Sequence, residues 1–413
     1  MKSDLDALME AENLDALLII GSASHNPPMM YLTGGGHVTQ ADLIKKRGEP
    51  AILYCWPMER DEAARSGLTV YVHDMQAYNE DLRRNGGNFL EAHVRRYQRL
   101  FNELGLVAGR VALYGKFDAG HVFGIFSALQ ERLPELRFVG QVGESVLLSA
   151  MATKDEQEVE RIRRMGQITT EVIAETADFL TSHAVQDEVL IKADGRPLTI
   201  GDVRRRIHLW LAERNVENPQ GVIFAIGRDA GVPHSSGNDA DVLRLGQTIV
   251  YDIYPCEAGG GYYYDITRTW CLGYAPDAAQ KLYEDVLAVY QQLRSRLRVG
   301  TSAREHQAMA CDLFEARGHV TVRSDPQTLN GYVHSLGHGV GLNIHESPML
   351  SLTAPETQQL KPGMVITLEP GLYYPERGMG VRLEDTCSAD AQGLFQPLVE
   401  YPMDLILPMK SGR

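Results

Sequence analysis

At 413 residues the chain is too long for one ordinary hydrophobic core, so its length favours two domains. Hydrophobic residues make up 44% and charged residues 23%, values typical of a soluble globular protein. The net charge of −14 comes without any long basic run, which argues against nucleic acid as a partner, because phosphate-binding surfaces need clustered Lys and Arg.

The sequence also argues against membrane insertion and secretion. No apolar stretch approaches 18 residues, so we expect no transmembrane helix and no membrane partner. Residues 1–6 carry acids where a signal peptide needs an apolar run, so we expect no signal peptide. The five cysteines are odd in number, scattered and without a CxxC pair, which favours reduced thiols in a cytoplasmic protein.

The first third of the chain alternates predicted strands with predicted helices. Helical patterns cover 89–104 and 122–133, and a triplet of glycines at 34–36 lacks the spacing of a dinucleotide or phosphate-binding fingerprint. The alternation is typical of an α/β domain with a largely parallel sheet, and no residue in it stands out as catalytic. Short apolar runs predict strands at 14–20, 51–54, 68–72 and 110–114.

A change of pattern predicts an N-terminal α/β domain at 1–148 and a second domain at 149–413. Thr153 and Glu156 have the spacing of a capping box, which predicts a long amphipathic helix from there to about Leu180. Paired strands separate the helices, so the second domain is predicted to be α+β, with helices over one face of an antiparallel sheet. Three further helices are predicted at 201–214, behind a Thr199 cap, 278–297 and 302–316.

The first strand pair of this domain carries one carboxylate on each strand. Residues 247–254 predict a strand containing Asp252, and after a glycine-rich turn the return strand at 262–270 contains Asp265. We expect the two carboxylates to lie opposite each other on one face. Because they repel, either one binds a proton or a cation lies between them. A charge pair with Arg268 is the simpler alternative.

A second strand pair repeats this arrangement. Residues 364–369 predict an apolar strand that ends at Glu369, where an uncompensated buried charge costs several kcal/mol. The return strand, 380–386, contains Arg382 and Glu384, which share a face because side chains alternate along a strand. Here the alternative is that Arg382 neutralises both glutamates. The repetition hints at an internal duplication.

A glycine-flanked histidine, His338, completes the set. With His334 and His345 it places three of the 13 histidines within twelve residues. Taken alone, the segment is equally compatible with a glycine-rich turn bearing solvated histidines. Together with the four carboxylates it predicts a dinuclear site, because four oxygen-donor residues and one imidazole suit two divalent ions. Two ions ~3.5–4 Å apart activate a water and polarise a carbonyl together.

These motifs resemble those of the pita-bread metallopeptidases, and more closely those of their proline-specific branch, the Xaa-Pro aminopeptidases and Xaa-Pro dipeptidases (prolidases). The resemblance covers about 260 C-terminal residues strongly, and the N-terminal half is less specifically similar to the creatinase-like N-domain of that branch. It implies an α/β N-terminal domain followed by an α+β pita-bread domain of the creatinase/aminopeptidase type. The segments that carry it are Asp252, Asp265-Ile-Thr-Arg-Thr, Gly337-His338-Gly-Val-Gly with His345-Glu346, Leu368-Glu369-Pro-Gly and Arg382-Leu-Glu384-Asp-Thr.

The resemblance implies hydrolysis of the bond between an N-terminal residue and a following proline, through a dinuclear-metal hydroxide. The substrate is then a peptide with proline at its second position. Manganese is the expected metal, although Co²⁺ and Zn²⁺ also fit, and a homodimer or higher homo-oligomer is expected. The implied metal ligands are Asp252, Asp265, His338, Glu369 and Glu384.

The resemblance also implies roles for individual side chains. Glu369 acts as general base and then as general acid. His345 donates to the oxyanion or the scissile amide, and His234 contacts the substrate. His334 and Arg382 line the pocket for the proline ring or its carboxylate.

Two other functions stay open. One is hydrolysis of a non-peptide small molecule, as in creatinase, and the other is a catalytically idle interaction module. The presence of all five ligand types counts against the metal-free relatives and against the binding-only domains. Relative to common family members the first hairpin has about two extra residues, including Glu257, which enlarge its tip. The sequence leaves open whether the enzyme is a dipeptidase or an aminopeptidase.

Overall fold

The computed structural model describes residues 4–410 and divides into two compact units. The N-terminal unit comprises the residues up to Met151 together with Gly259–Gly261, and the C-terminal unit comprises Ala152–Ala258 and the chain from Tyr262 onward. The boundary predicted at residue 148 falls within a helix, Val146–Met151. The acidic segment on which the expected lack of a signal peptide rests lies partly outside the described residues. Within residues 4–410, every helix is too short or too polar to span a bilayer.

The N-terminal unit is built on a six-stranded sheet with the order β4-β3-β2-β1-β5-β6. The prediction of a largely parallel sheet is only partly right, because β2 runs antiparallel to both of its neighbours while the other three pairs are parallel. The apolar-run criterion missed β2 because two lysines end it. The strands are β1 Ala16–Gly21, β2 Ala41–Lys46, β3 Ile52–Cys55, β4 Thr69–Val72, β5 Gly109–Lys116 and β6 Leu136–Val139.

The two predicted helices of this unit form with capped N-termini. The side chain of Asn88 accepts from Glu91 N at the start of α5, and that of Asp118 accepts from His121 N at the start of α6. Their apolar faces pack on the sheet, and Val94, Phe101 and Leu129 are buried there. The helices are α1 Leu5–Ala11, α2 Pro27–Thr33, α3 Arg60–Ala64, α4 Met75–Arg84, α5 Phe89–Glu103, α6 Ala119–Arg132 and α7 Val146–Met151.

The C-terminal unit is built on a nine-stranded sheet with the order β10-β11-β13-β19-β16-β14-β15, to which β20 and β21 attach at β19 and β13. Only the β13–β21 pair of this sheet is parallel within the described chain. The strands of the unit are β7 Ala184–Gln186, β8 Val189–Ile191, β9 Val216–Glu217, β10 Val222–Ile226, β11 Thr248–Ile253, β12 Cys256–Glu257, β13 Ile266–Leu272, β14 Gly337–Gly339, β15 Glu346–Leu350, β16 Val365–Leu368, β17 Gly371–Tyr374, β18 Met379–Arg382, β19 Glu384–Ala389, β20 Phe395–Pro397 and β21 Ile406–Leu407.

All four helices predicted for this unit are present, but the longest begins later than the sequence suggested. Its N-cap is Asp155, in a capping box with Glu158. Thr153 instead bridges to Met364, so the chain is still extended at that point. Thr199 caps the second helix as predicted. The helices are α8 Glu156–Thr181, α9 Ile200–Glu213, α10 Asp277–Arg294 and α11 Ala303–Glu315.

The two carboxylate-bearing strand pairs differ in detail from the prediction. Asp252 lies opposite Thr267, not opposite Asp265, which precedes β13 by one residue. Asp265 and Thr267 share a face because side chains alternate, so both acids still point the same way. The second predicted hairpin is interrupted. β16 pairs with β19, and the residues between them form a separate β17–β18 hairpin after Pro370, which has no N–H to extend the strand.

Candidate active site

A pocket of about 500 Å³ opens on the C-terminal unit where these strands converge. The apolar part of its wall includes Val222, Ile223 and Met349. Its polar lining includes the nine residues that the sequence predicted for the site: Asp252, Asp265, His338, Glu369, Glu384, His234, His334, His345 and Arg382.

Two buried threonines hold the central side chains. Thr267, on β13, donates to Glu384 Oε2 at 2.6 Å. Thr367, on β16, accepts from the backbone N–H of His338 at 3.0 Å, and its hydroxyl lies 3.4 Å from Glu369 Oε1. Both threonines follow from strand periodicity, since each lies two residues from a predicted acid on the same face. The sequence interpretation nevertheless missed them.

His338 is oriented as a metal ligand would be. Its Nδ1 lies 3.1 Å from the carbonyl oxygen of Gly339, an acceptor, so Nδ1 carries the hydrogen. The lone pair of Nε2 is therefore free, and this atom lies 3.7 Å from Asp265 Oδ2 and 3.5 Å from Glu369 Oε1. Ligand atoms of Asp265, His338 and Glu384 all lie within 4.8 Å of one another.

Three carboxylate oxygens of the cluster are buried without a hydrogen-bond partner among the described residues: Asp252 Oδ1, Asp265 Oδ1 and Glu384 Oε1. A buried acceptor left without a partner costs about 1–3 kcal/mol, and more when it is charged. Divalent cations bound among these carboxylates would give the oxygens a partner. Carboxylate oxygens with one imidazole are a donor set that such ions accept, so the residues fit a metal site.

The electrostatics agree with this interpretation. Burial, together with the neighbouring carboxylates, raises the pKa values of Asp265 and Glu384 well above their usual range. Burial also raises the pKa of Glu369 to about 8. Burial lowers the pKa of His338 to about 3, which keeps its imidazole neutral at pH 7. The cluster therefore repels itself when ionised.

Arg382 supplies a single positive charge to this cluster, and most of its donors are already used. Its Nη2 donates to Asp252 Oδ2 at 2.6 Å and its Nε to Thr267 Oγ1 at 3.1 Å. Its Nη1 donates to the hydroxyl of Tyr373 at 2.8 Å and to the carbonyl of Pro233 at 3.2 Å. Arg382 does not neutralise both glutamates, because its ion pair is with Asp252.

The other alternative partner, Arg268, faces away from the metal-ligand candidates. It is 1% exposed, and its guanidinium binds Asp385 Oδ1 at 2.8 Å and several backbone carbonyls. The suggested charge pair of Arg268 with Asp252 and Asp265 is thus wrong. Arg268 instead neutralises Asp385, which leaves the acids in the pocket dependent on Arg382 and on a cation.

Two tyrosines, one on the pocket wall and one buried behind it, had no role in the sequence interpretation. Tyr373 links the two predicted pocket residues, since its hydroxyl accepts from Arg382 and lies 2.9 Å from His334 Nε2. Because His334 Nδ1 contacts the Ser335 carbonyl at 2.7 Å, Nε2 is the acceptor for Tyr373. Tyr254 lies on the pocket wall, as Asp252 does two residues earlier in the chain. No motif spacing would have indicated Tyr373.

Comparison with known proteins assigns the chain to a family. The profile of metallopeptidase family M24 matches residues 160–390, more than half of the chain. The chain belongs to family M24. The Creatinase/Prolidase N-terminal domain matches residues 2–145. Membership of a metallopeptidase family implies divalent metal ions, and the Asp265, His338 and Glu384 cluster is where such ligand atoms converge.

Individual relatives agree with the assignment to family M24. An Xaa-Pro dipeptidase of Pyrococcus furiosus is 30% identical over 245 residues, 59% of this chain and 62% of the relative. One of Pyrococcus horikoshii is 26% identical over 92% of this chain and 91% of the relative.

Solved structures show the same fold. A prolidase from Pyrococcus horikoshii matches with a TM-score of 0.71 at 21% identity, covering 98% of this chain and 99% of that one. An Xaa-Pro dipeptidase from Bacillus anthracis matches with a TM-score of 0.75 at 20% identity, covering 98% of each chain. The predicted fold class, an α/β domain followed by a pita-bread domain, is confirmed.

Proposed function

We propose that the chain is a metal-dependent exopeptidase that hydrolyses the bond between an N-terminal residue and a following proline. The observation that carries this proposal is the set of orphaned carboxylate oxygens around His338, in a pocket that also presents three further histidines. The Xaa-Pro dipeptidases among the relatives support the choice of substrate. We assign the catalytic role to residues 149–413 and place the protein in the cytoplasm, as a homodimer or larger oligomer.

We assign the metal ligands as Asp252, Asp265, His338, Glu369 and Glu384. Two divalent ions bound there, manganese being favoured by the oxygen-rich donor set, would polarise the scissile carbonyl and lower the pKa of a water molecule.

The remaining chemistry belongs to side chains on the pocket wall. Glu369 takes a proton from the attacking water and passes it to the proline nitrogen, which needs one in order to leave. His345 donates to the carbonyl oxygen as charge develops on it. His234 contacts the substrate backbone.

The proline side of the pocket is assigned to His334 and Arg382. Proline has no amide N–H, so its recognition depends on the shape of the ring and on the groups beyond it. The contacts of Arg382 with Asp252 and Tyr373 favour a role in fixing both, with its last free N–H available to the substrate.

A substrate panel tests the proposal. Purified protein loaded with Mn²⁺ is incubated with Gly-Pro, with longer Xaa-Pro peptides, with the matched Gly-Ala peptides and with creatine. We expect cleavage of the Xaa-Pro bond and little of the Gly-Ala bond. Cleavage confined to dipeptides identifies a dipeptidase, and cleavage of longer peptides identifies an aminopeptidase. Turnover of creatine alone, or of nothing in the panel, would overturn the proposal.

A further inference from the structure

The loop that carries His345 is held from outside the pocket by a buried ion pair. Glu346, the next residue, accepts from Lys154 Nζ at 2.7 Å through its Oε2. The two side chains are only 1% and 2% exposed. Within the described chain, neither is among the residues that line the pocket. The pair therefore contacts the loop and not the substrate.

The loop is folded closely around this carboxylate. Glu346 Oε1 accepts from the backbone N–H of Asn343 at 3.0 Å. A Cβ at Gly341 would lie 2.3 Å from Glu346 Oε2, so only glycine lets the backbone approach this closely. Tyr263 N donates to the carbonyl of Gly341 at 2.8 Å, which attaches the loop to the segment that leads to Asp265.

Lys154 has a fixed position of its own. Its backbone N–H donates to the Gly363 carbonyl at 2.7 Å, and the next residue, Asp155, is the N-cap of α8. The ammonium thus reaches the loop from the start of a 26-residue helix. On the other side, the ring of His345 lies 4.3 Å from that of His338 at an interplanar angle of 72°. A shift of Glu346 would therefore change the geometry between the two imidazoles.

Stability alone does not account for this pair. A buried ion pair contributes little net stability, because desolvating two charges offsets most of their attraction, and apolar residues of similar volume often serve as well. A charged hydrogen bond does, however, define a position sharply. At a reacting centre a misplacement of about 1 Å costs roughly a hundredfold in rate.

We propose that Lys154 and Glu346 are positioning residues, which hold His345 where it can donate to the carbonyl oxygen of the substrate. This inference rests on the proposed peptidase function for its catalytic meaning. The hold on the loop itself does not depend on which substrate is cleaved.

A double-mutant cycle tests the proposal. Glu346→Gln keeps the shape of the side chain and removes its charge. We expect kcat to fall by about 10–100-fold with little change in KM or in metal bound per chain. In a His345→Ala background the same change should cause no further loss. If the two losses multiply, the pair does not act through His345 and the proposal is wrong.

Substitutions of the lysine provide a second test. Lys154→Arg keeps the charge and should retain most of the activity. Lys154→Met leaves the buried Glu346 without its counter-charge, which destabilises the fold, so it is combined with Glu346→Met to remove both charges. The double variant should fold and remain as impaired as Glu346→Gln. Full activity in it would contradict the proposal. The matched control, Glu171→Gln, affects an exposed ion pair on α8 and should have no effect.

Hydrogen–deuterium exchange separates this inference from the proposed function. In Glu346→Gln we expect faster exchange of residues 340–347 than in the wild type, with residues 156–181 unchanged. If the wild type cleaves no Xaa-Pro peptide, the proposed function fails, and the exchange result still shows whether the pair fixes the loop. Unchanged exchange of 340–347 would overturn the inference.

Discussion

The two units each bury a cluster of charged side chains, and the clusters differ in how their charge is compensated. In the N-terminal unit the carboxylate of Asp42 is fully paired. It binds the guanidinium of Arg96 and accepts from Tyr97 at 2.6 Å, and His73 Nε2 lies 3.0 Å away. In the C-terminal unit the ion pair of Arg382 with Asp252 is the only one that Arg or Lys supplies to the four acids of the pocket, as far as the described residues go.

The difference separates a structural cluster from a functional one. A buried carboxylate that has a guanidinium and a phenol as partners needs nothing further, and its pKa is held far below its usual value despite burial. Buried carboxylates without partners are unfavourable unless something else brings positive charge. Membership of a metallopeptidase family implies divalent ions, and a cation in the pocket would supply that charge. The missing charge is therefore the most informative feature of the site.

Of the tests that compare the two clusters, removing the metal should have the largest effect, and it should affect only the pocket. After exhaustive chelation we expect Xaa-Pro cleavage to fall by at least about a thousandfold and to return with Mn²⁺. Added Mn²⁺ should stabilise the protein by about 2.7 kcal/mol at a concentration 100 times Kd, measured by thermal unfolding. Exchange of residues 41–46, which contain Asp42, should not respond. Undiminished turnover with no metal detected by elemental analysis would remove the distinction between the clusters.

Replacing residues that we propose as metal ligands tests the same comparison one side chain at a time. His338→Ala and Glu369→Ala should each lose bound metal and reduce kcat/KM by about 10²–10⁴-fold, because they remove a ligand and, for Glu369, the proton carrier. Metal content and initial rates measure both effects. His208→Ala, on the exposed face of α9, is the matched control and should behave as the wild type does. Full turnover in either ligand variant would disprove the assignment.

The sequence predicted which side chains meet in the pocket more completely than how they are arranged there. Motif spacing identified the acids and histidines because ligands need particular residue types on particular strand faces. It misplaced the register of Asp252, since that depends on the length of a glycine-rich tip that has no fixed turn type. It gave Arg268 the wrong partner because Asp385, which binds it, is 117 residues away in sequence. Tyr373 was missed because it belongs to no recognised motif, although its partner Arg382 is only 9 residues away in sequence.

Disrupting the compensated cluster should destabilise the N-terminal unit without affecting the chemistry. Asp42→Asn leaves the buried guanidinium of Arg96 without its counter-charge, which typically costs about 3–5 kcal/mol. Hydrogen exchange of residues 41–46 in increasing denaturant measures the loss. Glu49→Gln, which removes an exposed partner of Lys46, should cost less than about 1 kcal/mol. Equal effects of the two substitutions would show that the Asp42 cluster is not structural.

The same kind of substitution in the pocket should stabilise the metal-free protein instead of destabilising it. In metal-free protein, burial together with Glu384 and Asp252 raises the pKa of Asp265, which favours the unfolded state at neutral pH, and Asp265→Asn removes that cost. The variant should therefore unfold at a higher temperature than metal-free wild type, yet gain nothing from Mn²⁺. Destabilisation like that caused by Asp42→Asn would mean that the acids of the pocket are compensated after all.

Lowering the pH should reduce the stability of the N-terminal unit, by less than the substitutions above do. The folded-state pKa of Asp42 lies below its value near 4 in the unfolded chain, so its contribution is present above pH 4 and is lost as pH falls further. Burial lowers the pKa of His93 to about 4, against about 6.5 when unfolded, so protonation of the unfolded state begins to weaken the same unit below pH 6.5.

Both pKa shifts predict that the N-terminal unit loses stability as the pH falls. Each kcal/mol lost should lower its unfolding temperature by about 2–4 °C. His93→Gln should flatten the change between pH 6.5 and 4, and Asp42→Asn the change below pH 4. Thermal unfolding at each pH, with exchange at residues 41–46 to identify the unit, measures this. If His93→Gln leaves the upper part of the profile intact, a different group controls it, and the Asp42 cluster accounts only for the region below pH 4.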